Sequence, residues 1–187
     1  MTSCEGTRSS VPIGRLQLCR LPLIAHRRSI ITEAGVHPNV VGLVYVAAHA
    51  PAVGEDEGEL GAKTPSVLAK TEVAIKKTPD DFTYLNPADF PKLFAPNLPR
   101  EQAEFESRSQ VLAAAEVFNT PLTVAAWTTK PSWGIVAEND QIINPDLERW
   151  YYKRAKSHTT DQGCQSLRIR AHPREVAAVI AEAARSF

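Results

Sequence analysis

Histidine and cysteine are the side chains of this chain whose spacing can be tested against known metal and catalytic patterns. The histidines are His26, His37, His49, His158 and His172. None of them stands in an HxH or HExxH arrangement, so we expect no zinc site. The three cysteines, Cys4, Cys19 and Cys164, are odd in number and lack metal-type spacing. We therefore expect no metal and no cofactor, and a reducing compartment, which we take to be the cytoplasm.

Composition excludes several classes of function. The 187 residues carry 21 Lys and Arg against 21 Asp and Glu, so the formal net charge is zero. A general nucleic-acid binder would carry a basic excess, and we expect no nucleic-acid partner. Apolar residues make up 43% of the chain, enough for a sizeable core. No apolar run approaches the roughly 18 residues that a membrane span needs, so we expect no membrane contact.

Two apolar runs predict the strands of a parallel sheet. Val40–Ala48 is almost unbroken and rich in β-branched residues, as in a central strand that is covered on both faces. Trp133–Ala137 is a second short strand, and Glu138-Asn139-Asp140 follows it. Asn144 and Pro145 then begin a helix, as its cap and its first residue.

Helical patterns surround these strands. A short helix is predicted over Ser29–Ala34, and a last one begins after Pro173. Between the strands, an acidic loop at 54–60 precedes three predicted helices: Ser66–Lys77, Pro87–Phe94 and Arg100–Phe118. Strands that alternate with helices predict an α/β sheet, with a helical insertion at about 57–130.

The first 28 residues differ from the rest. They contain five arginines, one acidic residue (Glu5) and no helical or strand period. We expect residues 1–28 to form an irregular, disordered tail and residues 29–187 to form the domain.

Three runs carry a resemblance to a known family: ITEAGVHPNVVGLVYVAAHAPAVGE, KPSWGIVAENDQIINPDLERWYYKRAKSHTT and HPREVAAVIAEAA. They resemble the carboxyl-terminal part of α/β-hydrolases of the small esterase, methylesterase and hydroxynitrile-lyase type. The resemblance implies a partial α/β-hydrolase fold: a parallel sheet with a helical cap insertion. The strands that precede the nucleophile elbow in that family have no counterpart in this sequence.

The resemblance also assigns positions to the family's Ser-His-acid triad. Asp140 matches the acid, although Asn-Asp is also ordinary turn chemistry. Ala25 falls at the nucleophile position of the G-x-S-x-G elbow, and Arg27 and Arg28 replace its small residues. Ser166 falls at the histidine position. The triad implied by the resemblance thus keeps only its acid.

The genetic code suggests a cause for these losses. Gly163-Cys164-Gln165-Ser166-Leu167 can be encoded by a sequence that, moved by one base, reads Gly-Ala-Ser-His-Ser. That shifted reading restores the family's histidine. We therefore expect a truncated, frame-disrupted hydrolase gene product.

Three functions remain open. The first is a protein of carboxylic-ester hydrolase ancestry that is catalytically inactive. The second is an active hydrolase that uses substitute residues, with Ser166 served by His158 or His172. The third is a noncatalytic protein that binds a small apolar, ester-like ligand or another partner, and its candidate lining residues are Trp127, Trp133 and Phe90. An unpaired edge on the Val40–Ala48 strand would also favour self-association.

Overall fold

The computed structural model describes residues 15–18, 28–71, 74–163 and 172–187, with the backbone alone for 15–18, 28 and 29. Its strands are β1 (Arg15–Leu18), β2 (Val40–Val46), β3 (Ile75–Lys77), β4 (Phe82–Leu85), β5 (Ala113–Ala114), β6 (Ser132–Ala137) and β7 (His158–Gln162). Its helices are α1 (Arg28–Ala34), α2 (Glu57–Lys63), α3 (Phe90–Leu93), α4 (Arg100–Arg108), α5 (Pro145–Arg154) and α6 (Pro173–Arg185). None of these helices has both the length and the apolar character that a membrane crossing requires.

The main sheet is parallel and has the order β1-β2-β6-β7. Strand β2 pairs with β6 from Leu43 opposite Ser132, and β6 pairs with β7 from Trp133 opposite His158. A parallel sheet is covered on both faces, which explains why β2 and β6 are apolar along nearly their whole length. The predicted α/β class is confirmed.

Alternate residues of the strands supply two separate cores. Val44, Trp133 and Ile135 pack with Val176 and Val179 of α6 on one face. Leu43 and Tyr45 pack on the other face, together with α1, α5 and the apolar side chains of the insertion. Since successive side chains of a strand point to opposite faces, this division follows from the period of two.

The predicted unpaired edge of β2 is wrong. Strand β1 lies beside it in parallel, with Gln17 opposite Leu43 and Leu18 opposite Val44. This strand lies within residues 1–28, which the sequence predicted to be irregular. The sequence did not predict it because four residues are too few to show a strand period, and the strand forms through its pairing with β2. The outer strands of the described sheet are β1 and β7.

The insertion between β2 and β6 is less helical than predicted. It holds α2, α3 and α4 and a small antiparallel sheet of order β3-β4-β5. The predicted helix Ser66–Lys77 is wrong: it becomes one helical turn at Leu68–Lys70 followed by β3, whose residues pair with β4. The predicted Arg100–Phe118 helix ends at Arg108.

The second half of the predicted acidic loop is helical and forms the start of α2. The Asp56 carboxylate caps this helix, because it accepts a hydrogen bond from Glu59 N (2.7 Å).

Candidate functional site

Asp140 lies on the loop that follows the carboxyl end of β6. It is buried, at 6% exposure. Its Oδ1 accepts hydrogen bonds from the backbone N–H groups of Ile142 (2.6 Å) and Ile143 (3.1 Å). Ligands of parallel α/β sheets bind outside the carboxyl ends of the strands, so this is the edge at which a site is expected. The two bonds also hold the loop itself, as a turn residue would.

Helix α5 carries the side chains that fix this edge. Asn144 Oδ1 accepts from Asp146 N (3.0 Å), and Pro145 is the first helical residue, as predicted. The Tyr152 hydroxyl donates to Ala48 O (2.9 Å) and accepts from Ala48 N (3.0 Å). One side chain of α5 therefore satisfies both backbone groups of the residue just beyond β2.

A second side chain of α5 reaches the end of β6. The carboxylate of Glu148, which is fully buried, accepts from Ala137 N at 3.1 Å. Burial raises the pKa of Tyr152 well above 10, and the charge of Glu148 raises it further. The phenol is thus held in its neutral form, in which it can donate to Ala48. Together the two side chains set the ends of β2 and β6 relative to each other.

His49 lies at the same edge, directly after Ala48. It is buried (5% exposed), and its Nδ1 lies 3.1 Å from the Tyr151 hydroxyl. The two rings meet edge-on, with 5.5 Å between their centres. The spacing of the histidines in the sequence tests His49 only as a metal ligand. Its place as the first ionisable residue after the β2 run was the signal that it lies at this edge.

Glu55 and Arg154 form a half-buried ion pair that the sequence did not predict. Nη1 and Nη2 of Arg154 donate to the two carboxylate oxygens of Glu55, at 2.6 and 2.9 Å. Burial acts to raise the pKa of Glu55. The hydrogen bonds from Arg154 and Ala52 N and the charge of Arg154 outweigh it, so the pKa of this carboxyl is lowered.

Of the other predicted site residues, the structure describes His158 and His172. Ala25 and Ser166 lie outside the described residues. His158 is the first residue of β7, and its ring stacks on Trp133 with 5.4 Å between centres. It is therefore at the amino end of the sheet, opposite the edge that carries Asp140. His172 precedes the first residue of α6, as predicted for a helix-start residue.

The three aromatic residues considered as a ligand lining do not share one pocket. Trp133 packs against α6, on the opposite face of the sheet from Phe90 and Trp127. Phe90 is fully buried in the core, and Trp127 Nε1 donates to Pro51 O (2.9 Å). Within the described ranges, no group of three or more His, Cys, Asp or Glu side chains is arranged to hold a metal ion.

Comparison with known proteins connects this geometry to a fold. No protein-family model and no curated protein matches the chain. Among solved structures, polyneuridine aldehyde esterase is 11% identical, with a TM-score of 0.61 over 78% of this chain and 62% of the esterase. A pyrethroid hydrolase from Sphingobium faniae is 18% identical, with a TM-score of 0.65 over 84% of this chain and 66% of the hydrolase. An extracellular α/β-hydrolase from a Paenibacillus species is 14% identical, with a TM-score of 0.61 over 85% of this chain and 69% of that hydrolase.

These similarities confirm the predicted fold. The described sheet and its helices have the architecture of α/β-hydrolases, and the chain spans roughly two thirds of the length of each of these three proteins. Identities of 11–18% show the fold alone.

Proposed function

We propose that this chain, an α/β-hydrolase fold of carboxylic-ester hydrolase ancestry, does not itself hydrolyse esters. One observation carries the proposal: the positions that match the family's nucleophile and base hold Ala25 and Ser166, whereas the acid position holds Asp140. Acyl transfer in this fold needs a Ser that attacks, a His that takes its proton and an acid that orients the His. Alanine has no nucleophilic atom, and a neutral serine hydroxyl is no general base.

The hydrogen bonds of Asp140 support the proposal. Asp140 accepts two backbone hydrogen bonds that hold the loop between β6 and α5. A carboxylate with that role keeps a structural reason to be present after the histidine is lost. In this proposal Asp140 stabilises the turn and no longer orients an imidazole.

The geometry also weighs against a substitute base. His158 lies at the amino end of the sheet and stacks on Trp133, so it is at the wrong edge to serve a site near Asp140. The Nδ1 of His49 is within hydrogen-bond distance of Tyr151, a residue of the structural helix α5. His172 stands at the start of α6 and is the remaining alternative for Ser166.

Hydrolysis of p-nitrophenyl acetate tests the proposal. We expect the purified protein and its Asp140→Asn variant to give equal rates, since a carboxylate without a histidine to orient contributes nothing to the reaction. Asp146→Asn is the matched control, because Asp146 is an exposed carboxylate near the start of α5. Turnover that falls in Asp140→Asn and in Ser166→Ala, but not in the control, would show an active site built on substitute residues.

Two further parts of the proposal have separate tests. Thermal stabilisation by a small apolar ester, without turnover, would support the noncatalytic binding function. Cell fractionation tests the cytoplasmic location, which we base on three cysteines without a pairing pattern.

A further inference from the structure

Arg154, the last residue of α5, contacts the segment through which the chain leaves the sheet for the insertion. We call residues 50–55 the departing segment. Besides its two bonds to the Glu55 carboxylate, Arg154 Nη2 donates to Ala50 O at 3.0 Å. The side chains of Arg154 and Glu55 are only 23% and 28% exposed, so solvent screens this pair less than a surface pair.

The same guanidinium contacts the segment through which the chain returns. We call residues 122–128 the returning segment. The guanidinium carbon lies 5.0 Å from the ring centre of Trp127, which belongs to this segment. It also lies 4.2 Å from the ring centre of Trp150 on α5. Arginine is suited to this position because its planar group stacks on rings while its N–H groups bind a carboxylate.

The two segments bind each other into a stem at the base of the insertion. Val53 and Leu122 form a parallel bridge, and Gly54 N donates to Leu122 O at 2.9 Å. Leu122 N donates in return to Glu55 O at 3.1 Å. A side chain that holds either segment therefore holds both.

We propose that Arg154 is a latch that fastens this stem, and with it the insertion, to α5 and the sheet. Two other hydrogen bonds join the insertion to the loop before α5: Leu68 N to Gln141 O (2.8 Å) and Asn144 Nδ2 to Pro65 O (3.2 Å). Both are single bonds between neutral groups, and neither contacts the stem. The latch is independent of whether the site hydrolyses esters.

Hydrogen exchange of the full chain, read by mass spectrometry, tests the latch. Arg154→Lys keeps the charge but loses the bidentate geometry and the flat stacking surface. We expect amides of α2, β4 and α4, all in the insertion, to exchange at least about tenfold faster, while amides of β2 and β6 change less than about twofold. Glu55→Gln is the second variant and should produce the same pattern to a smaller degree.

Arg149→Lys is the matched control. Arg149 is on the same helix and pairs with Asp146 and Asp161, but it is 40% exposed and away from the stem. Exchange should stay within about twofold of the wild type everywhere in this control. If amide exchange accelerates equally in the insertion and in the sheet, Arg154 contributes to general stability and the latch is overturned. The latch is also overturned if exchange does not accelerate in Arg154→Lys or in Glu55→Gln. If Arg154→Lys does not fold, the pattern in Glu55→Gln decides.

Discussion

Replacing Tyr152 with phenylalanine tests the claim that α5 fixes the carboxyl edge of the sheet. The ring stays in place, so the substitution removes the hydroxyl and little else. Ala48 N–H and C=O then lose the bonds of 3.0 and 2.9 Å that the hydroxyl provides, and Ala48 is only 5% exposed. A buried backbone group left without a partner costs about 1–3 kcal/mol. We expect the free energy of unfolding to fall by about 2–4 kcal/mol, a large fraction of a typical domain's stability.

Urea unfolding followed by tryptophan fluorescence measures this change. The matched control is Tyr84→Phe, because Tyr84 is half-buried on β4 and its hydroxyl has no hydrogen bond to the described residues. The control should change the free energy by no more than about 0.5 kcal/mol. A Tyr152→Phe variant as stable as the control would refute the reasoning, since it would mean that Ala48 finds other partners at no cost.

Three other variants have expected outcomes. Gly134→Ala should lower the free energy of unfolding, measured in urea, by about 1–3 kcal/mol, because the added carbon would lie 2.5 Å from the Tyr152 ring. An unchanged urea midpoint would contradict that packing. Because the pKa of Glu55 is lowered in the folded state, its ion pair should add stability above pH 4.5 that is lost as the pH falls below it. Glu55→Gln should therefore show a weaker loss on acidification, and an identical pH dependence would contradict this. Ala25→Ser combined with Ser166→His should not restore ester hydrolysis, since arginines stand at two positions where the family's tight elbow requires small residues. Robust turnover would show that the elbow forms.

The elements predicted correctly are those whose signals are local. The β-branched run of β2 and the apolar run of β6 specify buried parallel strands. The Asn144–Pro145 cap fixes the start of α5, and the three-four spacing of apolar residues from Val176 specifies α6. Each signal lies within the element that it predicts.

The missed elements depend on partners that are distant in the sequence. Strand β1 exists through its pairing with β2, and β3 through its pairing with β4, so neither is encoded by its own period. The same holds for the site. Asp140 could be placed from the runs that flank it, whereas Glu55 meets Arg154 across 99 residues and His49 meets Tyr151 across 102. No local pattern encodes such contacts.

Labelling with a fluorophosphonate, read by intact-protein mass spectrometry, tests the central claim most directly. The reagent forms a covalent bond with a serine hydroxyl that a neighbouring base activates. With Ala25 and Ser166 in place of the nucleophile and the histidine, we predict no more labelling of the folded protein than of the heat-denatured protein. Stoichiometric labelling of the folded protein that disappears in the Asp140→Asn variant would contradict the claim and show that the chain contains a working catalytic serine.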